Sequence, residues 1–185
     1  LYVADAPASQ DVVCNLDGAG VSVAEALDTG QLSILTPPES YLRAGRFDAD
    51  AMIGLVQCEM RRALGDGYQA LYAAGEMSWA AGAEPGVESL MEYEAKLNET
   101  MGGEPFIILC LYDRRLFSPE YLLDALRTHP TVALGEEVYA NLYYLPPREF
   151  LKADRKSAEL RQYLRTLYEQ DRMAAALEKS SEEQA

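Results

Sequence analysis

The stretch YQALYAAGEMSWA, residues 68–80, joins an apolar run to a polar one and predicts how this part of the chain folds. Residues 68–74 form a short apolar run that follows the turn sequence GDG, which is typical of a buried β-strand. The polar residues Glu76 and Ser78 and the only tryptophan, Trp79, come directly after it. The carboxylate and the indole therefore mark the end of this strand as a candidate site.

Short apolar runs alternate with segments of helical period along most of the chain. The predicted strands cover residues 1–4, 31–35, 68–74, 106–112, 131–134 and 138–143. The predicted helices cover residues 9–17, 22–29, 48–64, 87–101 and 118–127, with Ser9 as the cap of the first and Ser118 and Pro119 at the start of the last. This order predicts an α/β fold, a mainly parallel sheet flanked by helices, whose strands are buried on both faces.

Polar residues follow three of the predicted strands. Asp5 follows the first strand, Glu76 to Trp79 follow the third, and Tyr112 to Arg115 follow the fourth. In open parallel sheets, ligands bind beyond the carboxyl ends of the strands, where loops and helix N-termini converge. We therefore expect a pocket at this edge of the sheet.

Composition excludes several classes of function. The formal net charge of −14 repels phosphate backbones and anionic lipid, so we expect no direct nucleic-acid binding and no membrane association. The sequence has no apolar stretch long enough for a membrane span and no secretory signal pattern, which indicates a cytoplasmic location. The three cysteines are never in CxxC spacing, so neither a disulfide framework nor a metal site is predicted. A redox or metal sensor built on Cys110 is a weaker alternative.

Each candidate site residue also has a structural interpretation. Trp79 can be a packing residue, and Glu76 can pair with Arg114 or Arg115. Asp113 can cap the turn that precedes the helix at Ser118. His129, the only histidine, stands at a helix end, where it can complement the helix dipole or act as a sensor.

The C-terminal residues 148–179 contain neither glycine nor proline and predict a long helix. Leu160, Leu164 and Leu167, then Asp171 or Met173, and Leu177 form a stripe at spacings of three and four. Two interpretations remain open: a helix packed back on its own domain, or a signalling helix that forms a homodimer. Residues 180–185, SSEEQA, predict a solvated tail.

Four blocks of sequence resemble a known family. They are GEMSWA (75–80), LMEYEAKLN (90–98), CLYDRRLFSPEYLLDALRTHP (110–130) and VYANLYYLPP (138–147). In this order they closely resemble the MEDS domain, the methanogen/methylotroph DcmR-type sensory domain. The resemblance assigns residues 1–147 to a sensory domain. The chain starts inside an apolar run without a methionine, so we expect an upstream part to be missing.

The family resembles RecA/KaiC-type ATPases, but the nucleotide machinery is incomplete in this sequence. Only Asp5 stands where those ATPases carry a pair of catalytic carboxylates, and Glu76 follows a glycine rather than ending the apolar run. No GxxxxGK[ST] motif occurs in the chain. We therefore expect a protein that is not an enzyme, with no catalytic residue, no cofactor and no metal.

The resemblance implies a sensory input domain of a signalling or transcription-regulatory protein, placed before an output domain such as a histidine kinase or a DNA-binding module. The implied signal is a small molecule, a hydrocarbon derivative or a C1 metabolite. The predicted pocket residues are Glu76, Trp79, Glu94, Tyr112, Asp113, Arg114 and His129. Two alternatives are a residual nucleotide-binding domain and a protein-interaction scaffold without a small ligand.

Overall fold

Four parallel strands form the sheet of the protein in the computed structural model, which describes residues 1–183 and the side chains of all of these except positions 6, 7 and 174–183. The chain divides into two units, the first comprising residues 1–122 and the second starting at Leu123. The strands of the first unit are β1 (Tyr2–Val3), β2 (Ile34–Leu35), β3 (Leu71–Glu76) and β4 (Phe106–Leu111), in the order β2-β1-β3-β4. The predicted α/β class with a mainly parallel sheet is confirmed.

The helices follow the strands as the sequence pattern predicts. They are α1 (Ala6–Gly18), α2 (Val23–Asp28), α3 (Ala49–Gly65), α4 (Leu90–Thr100) and α5 (Pro119–Thr128), with short 3₁₀ turns at Pro37–Glu39, Ser78–Ala81 and Val87–Ser89. Asp48 caps α3, since its carboxylate accepts a hydrogen bond from the Ala51 amide at 2.8 Å. The prediction that Ser9 caps the first helix is wrong. Asp5 is the cap, and it accepts from the Ala8 amide at 3.0 Å, because the helix begins three residues earlier than the pattern indicated.

One face of the sheet is covered by the core of the first unit. The core combines side chains of α3 and α4 with inward-facing strand residues, namely Val3, Met52, Ile53, Val56, Met60, Leu71, Leu90, Tyr93 and Leu97. The expectation that the strands are buried on both faces is wrong for β3 and β4. Tyr72 is 66% exposed, and Ile107 and Leu109 are 55% and 45% exposed. These residues alternate with buried neighbours, so β3 and β4 have one buried and one solvated face.

In the second unit, the last two predicted strands pair with each other. β5 (Thr131–Leu134) and β6 (Glu137–Ala140) form an antiparallel hairpin closed by Gly135, which has a φ of 63°. A short helix, α6 (Pro147–Phe150), follows, and then the long C-terminal helix α7 (Arg155–Glu183). A turn at 151–154 thus interrupts the single helix predicted from residue 148; Asp154, a residue type favoured at helix starts, precedes α7.

One face of α7 packs within the second unit. Gln162 and Thr166 donate hydrogen bonds to the Leu142 carbonyl at 3.5 and 3.2 Å, and the Tyr163 ring meets that of Tyr143 edge to face. Of the predicted stripe, Leu160, Leu164 and Leu167 are exposed, whereas Leu177 lies outside the described side chains. The predicted tail overlaps the end of α7, and its residues 184 and 185 lie outside the described residues.

Within the described residues, none of the helices combines the length and the apolar composition needed to cross a bilayer.

Candidate functional site

At the ends of β3 and β4, predicted site residues lie on both faces of the sheet. Gly75 and Cys110 are register partners, and the Cys110 thiol contacts Glu94 of α4 on the covered face. Because side chains alternate along a strand, Glu76 points to the opposite face. Two of the predicted residues, Glu76 and Glu94, therefore lie on opposite faces of the sheet.

The first cluster is built around a buried carboxylate. Glu94 is 2% exposed. Its Oε1 accepts a hydrogen bond from the Tyr112 hydroxyl at 2.9 Å, and its Oε2 accepts from the Cys110 thiol at 3.5 Å. A carboxylate is expensive to remove from water unless it is hydrogen-bonded, so these contacts are what allow Glu94 to lie in the core.

Seven aromatic side chains of the first unit make ring contacts in two groups. We call them the aromatic cluster: Tyr41, Phe47, Trp79, Tyr93, Tyr112, Phe117 and Tyr121. In the first group, the ring of Trp79 stacks on that of Tyr41 at 4.8 Å and lies 5.3 Å from that of Phe47, which meets Tyr93 edge to face. In the second group, Phe117 stacks on Tyr121 at 5.0 Å and meets Tyr112 at 5.4 Å. The Trp79 indole is thus one wall of an aromatic environment.

Two glycines allow the loops to approach this cluster. A Cβ at position 75 would overlap the Tyr41 hydroxyl, so Gly75 lets that hydroxyl lie against β3. A Cβ at position 86 would overlap the Phe47 carbonyl, and Gly86 also has a φ of 90°. The Phe47 amide donates to the Pro85 carbonyl at 2.7 Å, which completes this contact between the two loops.

Three polar atoms of the aromatic cluster are buried without a hydrogen-bond partner among the described residues. They are the indole Nε1 of Trp79 and the hydroxyls of Tyr93 and Tyr121. The Tyr93 side chain is completely buried. Buried polar groups nearly always have a partner in native proteins, so three such atoms in one cluster need an explanation.

The charge of Glu94 contributes to a raised pKa at all four tyrosine hydroxyls of the cluster. Burial, reinforced by the charge of Glu94, raises the pKa of Tyr121 to about 12. The pKa values of Tyr41, Tyr93 and Tyr112 are raised still more clearly, mainly by burial and further by Glu94 and Cys110. The hydroxyls therefore keep their protons near neutral pH and are available as donors.

Cys110 is a poor candidate for redox chemistry. Burial, together with the adjacent Glu94, raises the pKa of its thiol well above the usual value. The thiolate is the reactive form of cysteine, and here it is strongly disfavoured. Cys14, Cys58 and Cys110 are all free thiols.

The second cluster lies at the other face and consists of Asp5, Glu76 and Asp113. Burial raises the pKa of Glu76, and the charges of Asp5 and Asp113 raise it further. The expected pairing of Glu76 with Arg114 or Arg115 is not found among the described residues. Arg115 instead pairs with Asp113, with a closest distance of 2.6 Å, and its amide also donates to Asp113, so Asp113 organises the turn after β4.

His129 belongs to the second unit and bonds the last turn of α5. Its Nδ1 lies 2.7 Å from the Ala125 carbonyl, which can only accept, so Nδ1 carries the proton in this contact. The interpretation of His129 as a residue at a helix end agrees with this geometry.

The sequence patterns did not predict five aromatic residues of the cluster or the contact of Cys110 with Glu94. These residues are Tyr41, Phe47, Tyr93, Phe117 and Tyr121. Tyr93 stands beside Glu94 in the block LMEYEAKLN, and Phe117 and Tyr121 stand in the block at 110–130. Tyr41 and Phe47 stand in the loop TPPESYLRAGRF. Aromatic residues in a loop rich in proline and glycine were the available signal.

Comparison with known proteins identifies the family. A family model described as MEDS, the MEthanogen/methylotroph, DcmR Sensory domain, matches residues 1–130, which include both clusters. The transcriptional repressor DcmR of Methylorubrum extorquens (strain DSM 6343 / CIP 106787 / DM4) is 42% identical over 64 residues. That match covers 34% of this chain and 24% of the repressor, so the chain is related to about a quarter of the repressor's length. No solved structure matches the chain. With more than half of its length matched by the family model, the chain belongs to the MEDS family of sensory domains.

Proposed function

We propose that this chain is the input domain of a transcription-regulatory or signal-transduction protein, and that it binds a small molecule within the aromatic cluster. The MEDS match and the similarity to a transcriptional repressor support a sensory, regulatory role. The pocket and its ligand are our inference from the geometry of the first unit.

The observation that carries the proposal is the set of three buried, unpartnered polar atoms in the aromatic cluster. The Trp79 indole N–H and the Tyr93 and Tyr121 hydroxyls are removed from water without a protein partner among the described residues. Leaving a buried donor unsatisfied costs about 1–3 kcal/mol, a cost that a bound molecule with an acceptor atom would remove.

The same groups define the class of ligand. The ligand needs an acceptor atom for these donors and apolar groups that pack against the aromatic rings. The negative charge of the Glu94 carboxylate would repel an anion. A small neutral molecule with one acceptor atom fits these requirements. The hydrocarbon derivatives and C1 metabolites expected from the family resemblance include such compounds.

We assign ligand contact to Trp79, Glu94 and Tyr112 among the residues that the sequence predicted. Glu76, Asp113 and Arg114 belong, in this proposal, to the strand ends on the other side of the sheet, where Asp113 holds the turn after β4. We assign His129 a capping role at the end of α5.

The proposed domain is cytoplasmic and does not hydrolyse nucleotides. The sequence has no GxxxxGK[ST] motif to hold phosphates, and Glu76 stands among acidic neighbours. The similarity to a repressor favours a DNA-binding output domain over a histidine kinase. We further propose that the chain forms a homodimer through α7.

Thermal denaturation with a panel of ligands tests the proposal. The panel contains neutral alcohols and ketones of small size, each with the carboxylate of the same carbon skeleton. A ligand that binds only the folded protein raises the melting temperature as its concentration exceeds the Kd. We expect stabilisation by neutral members and none by their carboxylates in the wild type, and stabilisation by the carboxylates as well in Glu94→Gln, which no longer opposes an anion.

The matched control is Glu104→Gln, which removes the same charge from an exposed position in the first unit. This variant should respond like the wild type. A scaffold without a small ligand would instead show no stabilisation by any compound and no retained small molecule in native mass spectra of the freshly purified protein.

A further inference from the structure

The exposed face of α7 carries an apolar stripe in the second unit. Leu160, Leu164 and Leu167 are 59%, 57% and 63% exposed. The opposite side of the helix contacts its own unit through Gln162, Tyr163 and Thr166. A row of exposed leucines on a helix whose other face is already packed is typical of a surface that binds another helix.

We propose that this stripe binds the same stripe of a second copy of the chain, with the two α7 helices antiparallel. The inference rests on the homodimer proposed above and specifies its orientation. The occupant is identified by two features of the helix, its distribution of charge and the position of Asp171.

Charge is segregated along α7. Residues 155–165 carry four basic side chains and one acidic one, whereas the acidic residues Glu169 and Asp171 follow the last leucine of the stripe. Two parallel helices would place like-charged halves side by side. In an antiparallel pair centred on Leu164, Asp171 of each helix is level with Ser157 of the other, within one turn of the basic residues Lys156 and Arg161. The acidic residue of the stripe therefore meets basic residues in this orientation alone.

Asp171 follows Leu167 by four residues and continues the stripe. In a parallel, in-register pair the two Asp171 carboxylates would face each other across the seam, where like charges repel and lose water. In an antiparallel pair centred on Leu164 they lie roughly 20 Å apart at a rise of 1.5 Å per residue. Asp171 therefore avoids its own copy only when the two helices are antiparallel.

Site-directed thiol crosslinking in the full chain tests the orientation. The background is Cys14→Ser, Cys58→Ser, because these two cysteines are exposed. Leu164→Cys lies at the centre of the stripe and reports on the dimer in an antiparallel pair. Ser157→Cys lies one heptad earlier on the same stripe; its two copies are adjacent in a parallel pair and roughly 15–25 Å apart in an antiparallel one. Both are treated with a short bismaleimide, and sedimentation velocity over a range of concentrations reports the mass.

We expect dimers at high concentration, crosslinking through Leu164→Cys, and at least tenfold less through Ser157→Cys. Glu169→Cys, off the stripe, is the control for random collision. Efficient crosslinking through Ser157→Cys would overturn the antiparallel arrangement and leave the homodimer standing. A monomer at all concentrations, or a dimer that Leu164→Cys does not crosslink, would overturn both the orientation and the dimer through α7, without bearing on ligand binding in the first unit.

Discussion

The Glu94 carboxylate is the residue on which the proposed site depends, and the hydroxyls around it fall into two kinds. Tyr112 donates to Glu94 at 2.9 Å, whereas the Tyr93 hydroxyl is buried without a partner among the described residues. The same substitution therefore has opposite effects at the two positions.

We expect Tyr112→Phe to lower the free energy of unfolding by about 1–3 kcal/mol, because it leaves a buried carboxylate oxygen without its donor. Tyr93→Phe removes an unsatisfied group and should leave the unliganded protein equally stable or more stable. Urea denaturation of the two variants and the wild type measures the difference. Equal destabilisation by both would show that the Tyr93 hydroxyl has a structural partner.

The raised pKa values of the cluster predict loss of stability in alkali. Tyr41, Tyr93, Tyr112 and Tyr121 hold their protons more tightly in the folded chain than in the unfolded one, where tyrosine has a pKa near 10. Their contribution is complete below pH ~10 and is lost as the pH rises towards 12 and beyond. Unfolding free energies between pH 8 and 12 should fall steeply above pH ~10, and Tyr121→Phe should make the fall shallower.

The three thiols should differ in reactivity. Cys14 and Cys58 are exposed, whereas burial and Glu94 raise the pKa of Cys110. A colourimetric thiol reagent at pH 8 should modify two thiols per folded chain quickly and the third only in denaturant. Rapid modification of all three would contradict the burial of Cys110 and reopen its role as a redox sensor.

Among the secondary-structure elements, β3 and β4 show which parts of the fold and of the candidate site sequence patterns predict. The strand–helix order was sufficient to predict the sheet and its parallel direction. Tyr112 was predicted as a polar residue after β4, whereas Glu94 was predicted only from the block LMEYEAKLN. These patterns could not show that Glu76 points away from the face that Cys110 and Glu94 share. The predicted strand ended at residue 74, and its continuation to Glu76 depends on the pairing with β4. Tyr41, in a distant loop, joins the cluster through tertiary contacts that no local pattern records.

A substitution at Gly75 tests whether the loop that carries Tyr41 packs closely against β3. A Cβ at position 75 would overlap the Tyr41 hydroxyl, so Gly75→Ala should displace that loop and lower the free energy of unfolding by about 1–3 kcal/mol. The control is Gly54→Ala in the middle of α3, where an added Cβ meets no atom within 4 Å and alanine should stabilise the helix by about 1 kcal/mol. Urea denaturation measures both, and a stable Gly75→Ala variant would contradict the contact.

For the molecule as a whole, the net charge predicts that this chain does not bind DNA. With a net charge of −14, this chain should not retard random duplex DNA in a gel at low salt, although a relative is a transcriptional repressor. Binding at low salt that disappears at high salt would show a basic surface that the composition does not indicate. Without such binding, contact with DNA requires another domain.

The indole resonance of Trp79 in ¹H–¹⁵N spectra tests directly whether the aromatic cluster binds a small neutral molecule. Trp79 is the only tryptophan, so the spectrum contains one indole signal, and it comes from an unpartnered N–H beside Tyr41 and Phe47. During titration with the neutral alcohols and ketones, we expect a saturable shift of this signal for at least one compound and none for the corresponding carboxylate. In Glu94→Gln, that carboxylate should also shift the signal. Ligand binding in the aromatic cluster would be contradicted if no neutral compound shifted the indole signal of the wild type, or if the carboxylates shifted it equally.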